Sequence, residues 1–462
     1  MKNKLVRGPS GSHKSLQLVA GATALLGLLV SGGAQMTTTL ASVAWDGTQW
    51  NGDSPVVGAN ISANGRYVAF GSVASNLVPG DTNGSGDVFV RDLWTGGTTT
   101  RVSIGDDESQ AIGAGNPSIS ADGRYVAFGS ADGNLVPGDT NGIKDVFVRD
   151  TVLETTTLVS VGLAGTLENV GSDSSAIGLS ADGMTLSVVF RSTDMSGTTG
   201  SEVFVRALTR DPFTGSITGA GTTTLVSVDP GGMEGNGDSG FTQTTISADG
   251  RYVGFSSTAT NLIGAGNDTN GKYDVFVRDL SSSTTMRVSV TNAGLQGNIA
   301  SWSGTLSGNG RYVAFSSSST NLVAGDSNRT NDVFVRDIVA GTTTRVSLIS
   351  SGQQGNGRSG GSNNGWGMCG ISADGRYIAF QSDANNLIGS GKDKNNVQDV
   401  FVRDRALGTT TMASVTPANK PANGASSGPS MSADGLSVMF CSYATNLVTG
   451  DTNGFMDVFV RK

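Results

Sequence analysis

One spacing recurs along the chain and gathers hard oxygen donors: Asp-x-Asn-x-x-x-Asp. It occurs as Asp81/Asn83/Asp87, Asp139/Asn141/Asp145, Asp268/Asn270/Asp274, Asp326/Asn328/Asp332, Asp393/Asn395/Asp399 and Asp451/Asn453/Asp457. One further copy lacks it, with Ser196 and Thr198 ahead of Glu202. Calcium takes about six to eight oxygens from carboxylates, amides, backbone carbonyls and water. Donors at positions 1, 3 and 7 match the start of an EF-hand-type or dockerin-type loop. The later acids of such loops are absent, so calcium binding at these residues is expected to be weak, roughly 10⁻⁴–10⁻³ M. The same residues also suit a purely structural role. Asp and Asn side chains close Asx-turns, and Asn-Gly marks a tight turn. The last Asp can accept backbone N–H groups or pair with an Arg of a neighbouring repeat, such as Arg66 or Arg91.

Carboxylates outside this pattern are few. Glu108, Glu154, Glu168, Glu202 and Glu234 are the only glutamates. The acids Asp106, Asp107, Glu108, Glu168, Asp173, Glu234 and Asp238 fall outside the repeated positions. They are the candidates for general acid–base work, which a pair of carboxylates can perform without histidine.

The N-terminus bears on the rest of the chemistry. Lys2, Lys4, Arg7 and Lys14 precede an apolar stretch from Leu16 to Val30, and Gly32 and Ala34 suit cleavage before Gln35. Residues 1–34 therefore read as a secretory signal peptide. A membrane anchor is the alternative, but fifteen residues interrupted by Gly and Thr are short for a span. With four basic residues and no acid in the leader, the formal charge moves from −8 to −12 on cleavage. The single histidine, His13, leaves too. A mature chain of residues 35–462 without histidine excludes His-based nucleophile activation, acid–base catalysis and metal ligation. Its acidity argues against nucleic acid as a partner, because phosphate contacts need Lys and Arg. Neither zinc, haem nor a nucleotide cofactor is expected.

The elements that must carry the Asp-Asn loops are strands. "SADGRYVAF" and its variants start at Ser62, Ser120, Ser180, Ser247, Ser307, Ser372 and Ser432, 58 to 67 residues apart. "DVFVRD" follows each at Asp87, Asp145, Asp274, Asp332, Asp399 and Asp457, with Glu202 in the third copy. "TTTRVS" or a relative follows at Thr98, Thr155, Thr222, Thr284, Thr342 and Thr409. "RYVAF" and "VFVRD" are apolar on both faces, as strands covered on both sides are. "TTTRVS" is β-branched and polar, which fits an outer edge. "A-D-G" between strands is a hairpin turn with Gly at positive φ. Each unit therefore predicts four antiparallel strands, a to d, and seven such units predict an all-β, closed seven-bladed β-propeller. An open β-solenoid is the alternative. The termini favour the ring: the chain ends on strand c of the seventh unit, and the missing strand d is supplied by Thr37–Val43, "TTTLASV".

The units "ISADGRYVAFGS…NLVPGDTNG…DVFVRD…TTTRVS" resemble the WD-repeat-like propeller repeats of TolB-type bacterial proteins. The likeness covers nearly all of residues 35–462. TolB carries an N-terminal α/β domain, for which no segment fits here. Propeller-containing serine peptidases are similar in blade type but need a hydrolase domain with a catalytic His, and neither is expected. The resemblance is to secreted, propeller-only members of this repeat family.

In a propeller of this strand order, b–c and d–a loops share one face and a–b and c–d turns the other. Trp50, Trp302 and Trp366 sit in d–a loops, where an exposed ring can stack on a sugar or anchor a protein, or pack under its own loop. The third unit has a long c–d hairpin, "ALTRDPFTGSITGAG". Cys369 and Cys441 are placed at the same end of adjacent blades, as a disulfide or as two buried thiols. The expected function is a secreted or periplasmic, non-catalytic binding scaffold, monomeric and without a membrane span once the leader is removed. Its partner would be an extracellular or envelope protein or polysaccharide. The alternative is a carboxylate-dependent glycosidase or lyase acting on extracellular polysaccharide.

Overall fold

Apolar residues on both faces of strands b and c force each unit's sheet to be covered from both sides. A computed structural model describes residues 37–462 apart from 54–58, 95, 132, 168–170, 194–199 and 362–368. The expected leader, Glu168, Ser196, Thr198 and Trp366 lie outside the described residues. The rest forms seven four-stranded antiparallel sheets, one per repeat. In blade 1 the strands are Asn60–Ile61, Tyr67–Ser72, Asp87–Asp92 and Thr99–Arg101. Blade 3 is longer, with strands b and c of nine residues each, Thr185–Thr193 and Ser201–Thr209.

Blade 7 closes the ring. Its strands Ser426–Met431, Val438–Ser442 and Asp457–Arg461 are completed by Thr38–Leu40 from the other end of the chain. The register is Thr38↔Arg461, Thr39↔Val460 and Leu40↔Phe459. The expected strand at Thr37–Val43 is thus present, three residues long, with Thr37 and Ala41 adding backbone hydrogen bonds at its ends. A solenoid with two open ends does not have this pairing.

The core lies between blades. Ala69, Val88 and Val90 of blade 1 pack with Val126, Phe128 and Phe147 of blade 2. Inside each blade the Phe of strand b stacks on the Phe of strand c, as Phe70 on Phe89 with centroids 5.9 Å apart.

Polar bonds also join the blades, and they recur around the ring. The second Thr of strand d donates its hydroxyl to a carbonyl of the preceding blade, as Thr99 to Val43, Thr156 to Ile104 and Thr343 to Val290. The Arg of "DVFVRD" works beside it. Arg91 donates to Thr99 and to the Val43 carbonyl, and Arg149 to Thr156 and the Gly105 carbonyl. The Arg of "GRYVAF" behaves differently from the expectation that it bridges blades. Arg66 pairs with Asp92 of its own blade at 2.6 Å, as do Arg124 with Asp150 and Arg311 with Asp337. The Tyr beside it reaches the next blade instead. The ring of Tyr67 lies over Gly123 so closely that a Cβ there would meet it at 2.1 Å.

Candidate functional site

The b–c loops put their two Asp side chains inward, against strand d. Asp87 is fully buried at the head of strand c. Its Oδ1 accepts a hydrogen bond from Ser103 Oγ at 2.6 Å, and that hydroxyl in turn accepts the Val88 N–H. The Ser–carboxylate bond recurs in every blade, from Ser42 to Asp457, Ser160 to Asp145, Ser227 to Glu202, Ser289 to Asp274, Ser347 to Asp332 and Ser414 to Asp399.

The Asn residues expected as calcium donors present their amide N–H to the carboxylates. In five loops Nδ2 donates to the strand-c carboxylate. Asn83 reaches Asp87 at 2.9 Å, Asn141 reaches Asp145 at 2.8 Å and Asn270 reaches Asp274 at 3.0 Å. Asn328 reaches Asp332 at 3.4 Å and Asn395 reaches Asp399 at 2.7 Å. Meanwhile Oδ1 accepts a backbone N–H two residues on and closes an Asx-turn. The donors are Ser85 for Asn83, Ile143 for Asn141, Lys272 for Asn270, Thr330 for Asn328, Val397 for Asn395 and Phe455 for Asn453. Asn83, Asn141, Asn270, Asn328 and Asn395 are therefore turn-closing residues in this structure. Their amide oxygen is spent on the turn, and it is an N–H that faces the carboxylates.

A cation enters three of these loops. Arg101 Nη1 lies 3.3 Å from Asp81 and 3.6 Å from Asp87. Arg287 is 3.4 Å from Asp268 and 3.6 Å from Asp274. Arg345 is 3.3 Å from Asp326 and 3.1 Å from Asp332. Each Arg comes from strand d, opposite the strand-c Phe in the ladder. The partner of the last Asp is therefore this strand-d Arg and a Ser, and neither Arg66 nor Arg91. In these three blades the guanidinium takes the place that the sequence reading gave to calcium. In blades 2, 6 and 7 the same ladder position holds Leu158, Met412 and Leu40.

Burial raises the pKa of these carboxyls, and hydrogen bonds oppose it. Asp399 and Asp457, in blades without the Arg, are pushed up to about 7. Asp274, with Arg287 beside it, is pushed up to about 6. No group of three or more His, Cys, Asp or Glu side chains poised for a metal occurs among the described residues. Each of the six loops offers a cation two carboxylates.

The opposite rim has its own repeated device. The Asp that ends strand c accepts the N–H two residues on and so fixes the c–d turn: Asp92 from Trp94, Asp150 from Val152 and Asp337 from Val339. The Arg–Asp pair clips that Asp in place, and the Arg stacks on the Tyr that follows it, Arg66 4.6 Å from the Tyr67 ring. An apolar side chain is left at the tip. Trp94 is 60% exposed, Val152 65%, Val339 75%, Leu407 70% and Phe213 95%. The long hairpin of blade 3 carries Phe213 and also clamps its neighbour. Tyr125 Oη donates to the Gly215 carbonyl, and Arg210 donates to Tyr125.

Two of the tryptophans singled out in the d–a loops, Trp50 and Trp302, do not lie on the surface. Trp50 is 2% exposed and meets Phe70 edge-on at 6.1 Å; Trp302 is 8% exposed within strand a of blade 5. The bridge Val43↔Gln49 folds the loop back and turns Trp50 inward, leaving Trp45 of the same loop 58% exposed. Cys369 and Cys441 are free thiols buried in different core clusters, not a disulfide, and burial pushes both pKa values up to about 12.

The acids outside the repeats divide between two neighbourhoods, Asp106 and Glu108 near Arg149, and Glu234 and Asp238 near Glu202, with the others in contacts of their own. Asp106 accepts the Thr156 N–H and lies 3.7 Å from Arg149. Asp107 caps the Ser109 N–H, and Asp173 pairs with Lys144. Asp238 accepts the Ser201 N–H. Glu202 stands out. It is 1% exposed, and burial, with Glu234 and Asp238 nearby, pushes its pKa up to about 8.

No helix among the described residues is long and apolar enough to cross a membrane. No family model and no curated protein sequence matches the chain. Among solved structures it is similar to a TolB-type protein from Agrobacterium tumefaciens, at 17% identity over 67% of this chain and 88% of that one, TM-score 0.37. It is also similar to an oligogalacturonate lyase from Vibrio parahaemolyticus, at 10% identity over 93% and 97% of the two chains, TM-score 0.46. A third similar structure is the β-propeller domain of the trilobed protease from Pyrococcus furiosus, at 10% identity over 89% and 93%, TM-score 0.48. The strand pairing of the chain itself establishes a seven-bladed β-propeller, and its likeness to TolB-type propellers is a likeness of fold.

Proposed function

We propose that this protein is a non-catalytic binding scaffold whose c–d rim docks a protein partner. The observation that carries this is the set of tips Trp94, Val152, Phe213, Val339 and Leu407, exposed on one rim in five of seven blades. Each tip sits on a hairpin held by its own Asp, so the rim is rigid before a partner arrives. Exposed Trp and Phe anchors in a pre-organised frame are what protein interfaces use. Val and Leu do not stack on sugar rings, which favours a protein over a polysaccharide. The repeated charged side chains are engaged inside the blades, which leaves them few free roles in catalysis.

A second reading, a carboxylate-dependent glycosidase or lyase, has one observation in its favour. Glu202 holds its proton to about pH 8 with two acids nearby, the environment of a general acid. Its burial keeps it from a polysaccharide chain.

The test pairs pull-down from envelope extracts, followed by binding of the purified candidate, with a glycan array and a panel of glycoside substrates. A protein partner lost with Trp94→Ala/Phe213→Ala and kept with Trp45→Ala, on the other rim, supports the proposal. Binding that survives the double variant sinks it. Polysaccharide turnover abolished by Glu202→Gln would replace it with the enzyme.

A further inference from the structure

The six Asp-Asn loops are not equivalent, and the difference lies in one ladder position of strand d. In blades 1, 4 and 5 an Arg reaches both carboxylates. In blades 6 and 7 the Arg is replaced by Met412 and Leu40, while both Asp residues stay and stay buried. Two buried carboxylates without a countercharge are unfavourable, because burial penalises each charge and the two repel.

One buried carboxylate oxygen in each of these two loops makes no hydrogen bond of ordinary geometry. In blade 6 it is Asp393 Oδ1, in a residue 6% exposed. Asp457 Oδ2 in blade 7, in a residue 0% exposed, makes no hydrogen bond of ordinary geometry, although the N–H groups of Asn453 and Trp50 lie beside this carboxylate. Their partner carboxylates are close enough to repel: Asp393 acts on Asp399 and Asp451 on Asp457. The remaining oxygens are already tied down, Asp399 by Ser414 and Asn395, Asp457 by Ser42, and Asp451 by Gln49. Blade 2 shares the apolar replacement, Leu158, but Asp139 has a partner of its own there.

We infer that blades 6 and 7 each bind one calcium ion between their paired carboxylates, Asp393/Asp399 and Asp451/Asp457, in the place that Arg fills in blades 1, 4 and 5. The donors are hard oxygens and the ion supplies the missing positive charge, so a divalent cation of calcium's size and coordination habit suits the site. With two carboxylates per site the affinity belongs to the weak, extracellular range, ~10⁻⁴–10⁻³ M. The inference does not rest on the docking role of the opposite rim.

The experiment is thermal melting of the EGTA-stripped chain at pH 8, titrated with calcium chloride to about 10 mM, ten times the weakest expected Kd. The wild type is expected to melt higher with calcium. Met412→Arg and Leu40→Arg, each restoring the built-in cation, are expected to melt higher without calcium and to lose part of the calcium response. The double variant is expected to lose all of it. Asp393→Asn, nearly isosteric, guards against an Arg variant that fails to fold and is expected to lose the blade 6 share. Trp50 lies beside Asp457, so terbium in blade 7 is expected to give tryptophan-sensitised emission that calcium displaces and Trp50→Phe abolishes. No calcium response in the wild type overturns the inference. So does a full response in the double variant or in Asp393→Asn, or sensitised emission unchanged by Trp50→Phe.

Discussion

Glu202 is the one residue that departs from its repeated position in a way the surroundings amplify. The other copies carry Asp there, and the longer side chain reaches the same Ser partner while sitting fully buried. Desolvation raises its pKa from an ordinary 4.5 to about 8. A carboxyl whose pKa is higher in the folded chain stabilises the fold when protonated. That stability is fully present below pH 4.5 and is lost as pH rises toward 8. The loss is on the order of 5 kcal/mol across the window, at about 1.4 kcal/mol per pH unit before it levels off. Asp399 and Asp457 titrate in the same range, so the measurable quantity is the difference between wild type and Glu202→Gln. The variant is expected to gain on the wild type as pH rises from 5 to 8, by denaturant melts at each pH. Parallel curves would show that Glu202 is ionised in the folded chain.

At the scale of the elements, the sequence carried the strands and hid their partners. Strands b, c and d announce themselves because their apolar and β-branched runs recur in register with fixed turns. The partners of the buried Asp were not legible in the same way. Arg101 ends strand d and Ser103 follows it by two residues, a full hairpin away from Asp87, and the pairing Phe89↔Arg101 brings them together. The Asn of each loop was legible as a turn former, but which end of its amide faces the carboxylates depends on the folded loop. The fate of Trp50 depended on the backbone bridge Val43↔Gln49, whose counterparts recur in the other repeats, as Ile104↔Gln110 and Val290↔Gln296, but whose effect on the ring is set only in the folded loop. The turn glycine was read as a need for positive φ, and it has a second cause. Gly123 has φ +82° and also lies under the ring of Tyr67 from the preceding blade. Gly123→Ala therefore meets both a left-handed backbone penalty and a clash, together roughly 2–4 kcal/mol. Tyr67→Ala alone opens a cavity beside the same turn. In the double variant the clash is gone, so its cost is expected to fall short of the sum of the singles. Additive costs would mean that the ring moves aside freely.

For the whole molecule, the question is what the ring gains from sewing its first strand to its last. Residues 37–43 touch three blades. Thr38 donates to Val415 of blade 6, Ser42 to Asp457 of blade 7, and the Val43 carbonyl accepts from Thr99 and Arg91 of blade 1. Beside these contacts its backbone is held by a three-residue ladder and its flanking bonds. Thr37 and Lys462 exchange both backbone bonds, so by antiparallel alternation Thr39 donates its N–H to the partner strand. Thr39→Pro removes that donor at a position where proline cannot hide at a free edge. Thr100 stands at the matching place in blade 1, opposite Val90 as Thr39 is opposite Val460. Thr100→Pro loses the same bond in a strand joined at both ends to elements of the ring. If closure stabilises the ring as a unit, Thr39→Pro is expected to lower the melting temperature further than Thr100→Pro. It is also expected to broaden the transition and to speed amide exchange in Val438–Ser442 and Asp457–Arg461. Equal losses in the two variants would mean that the seven blades hold together by their lateral contacts alone, and that the closing strand is only one more edge.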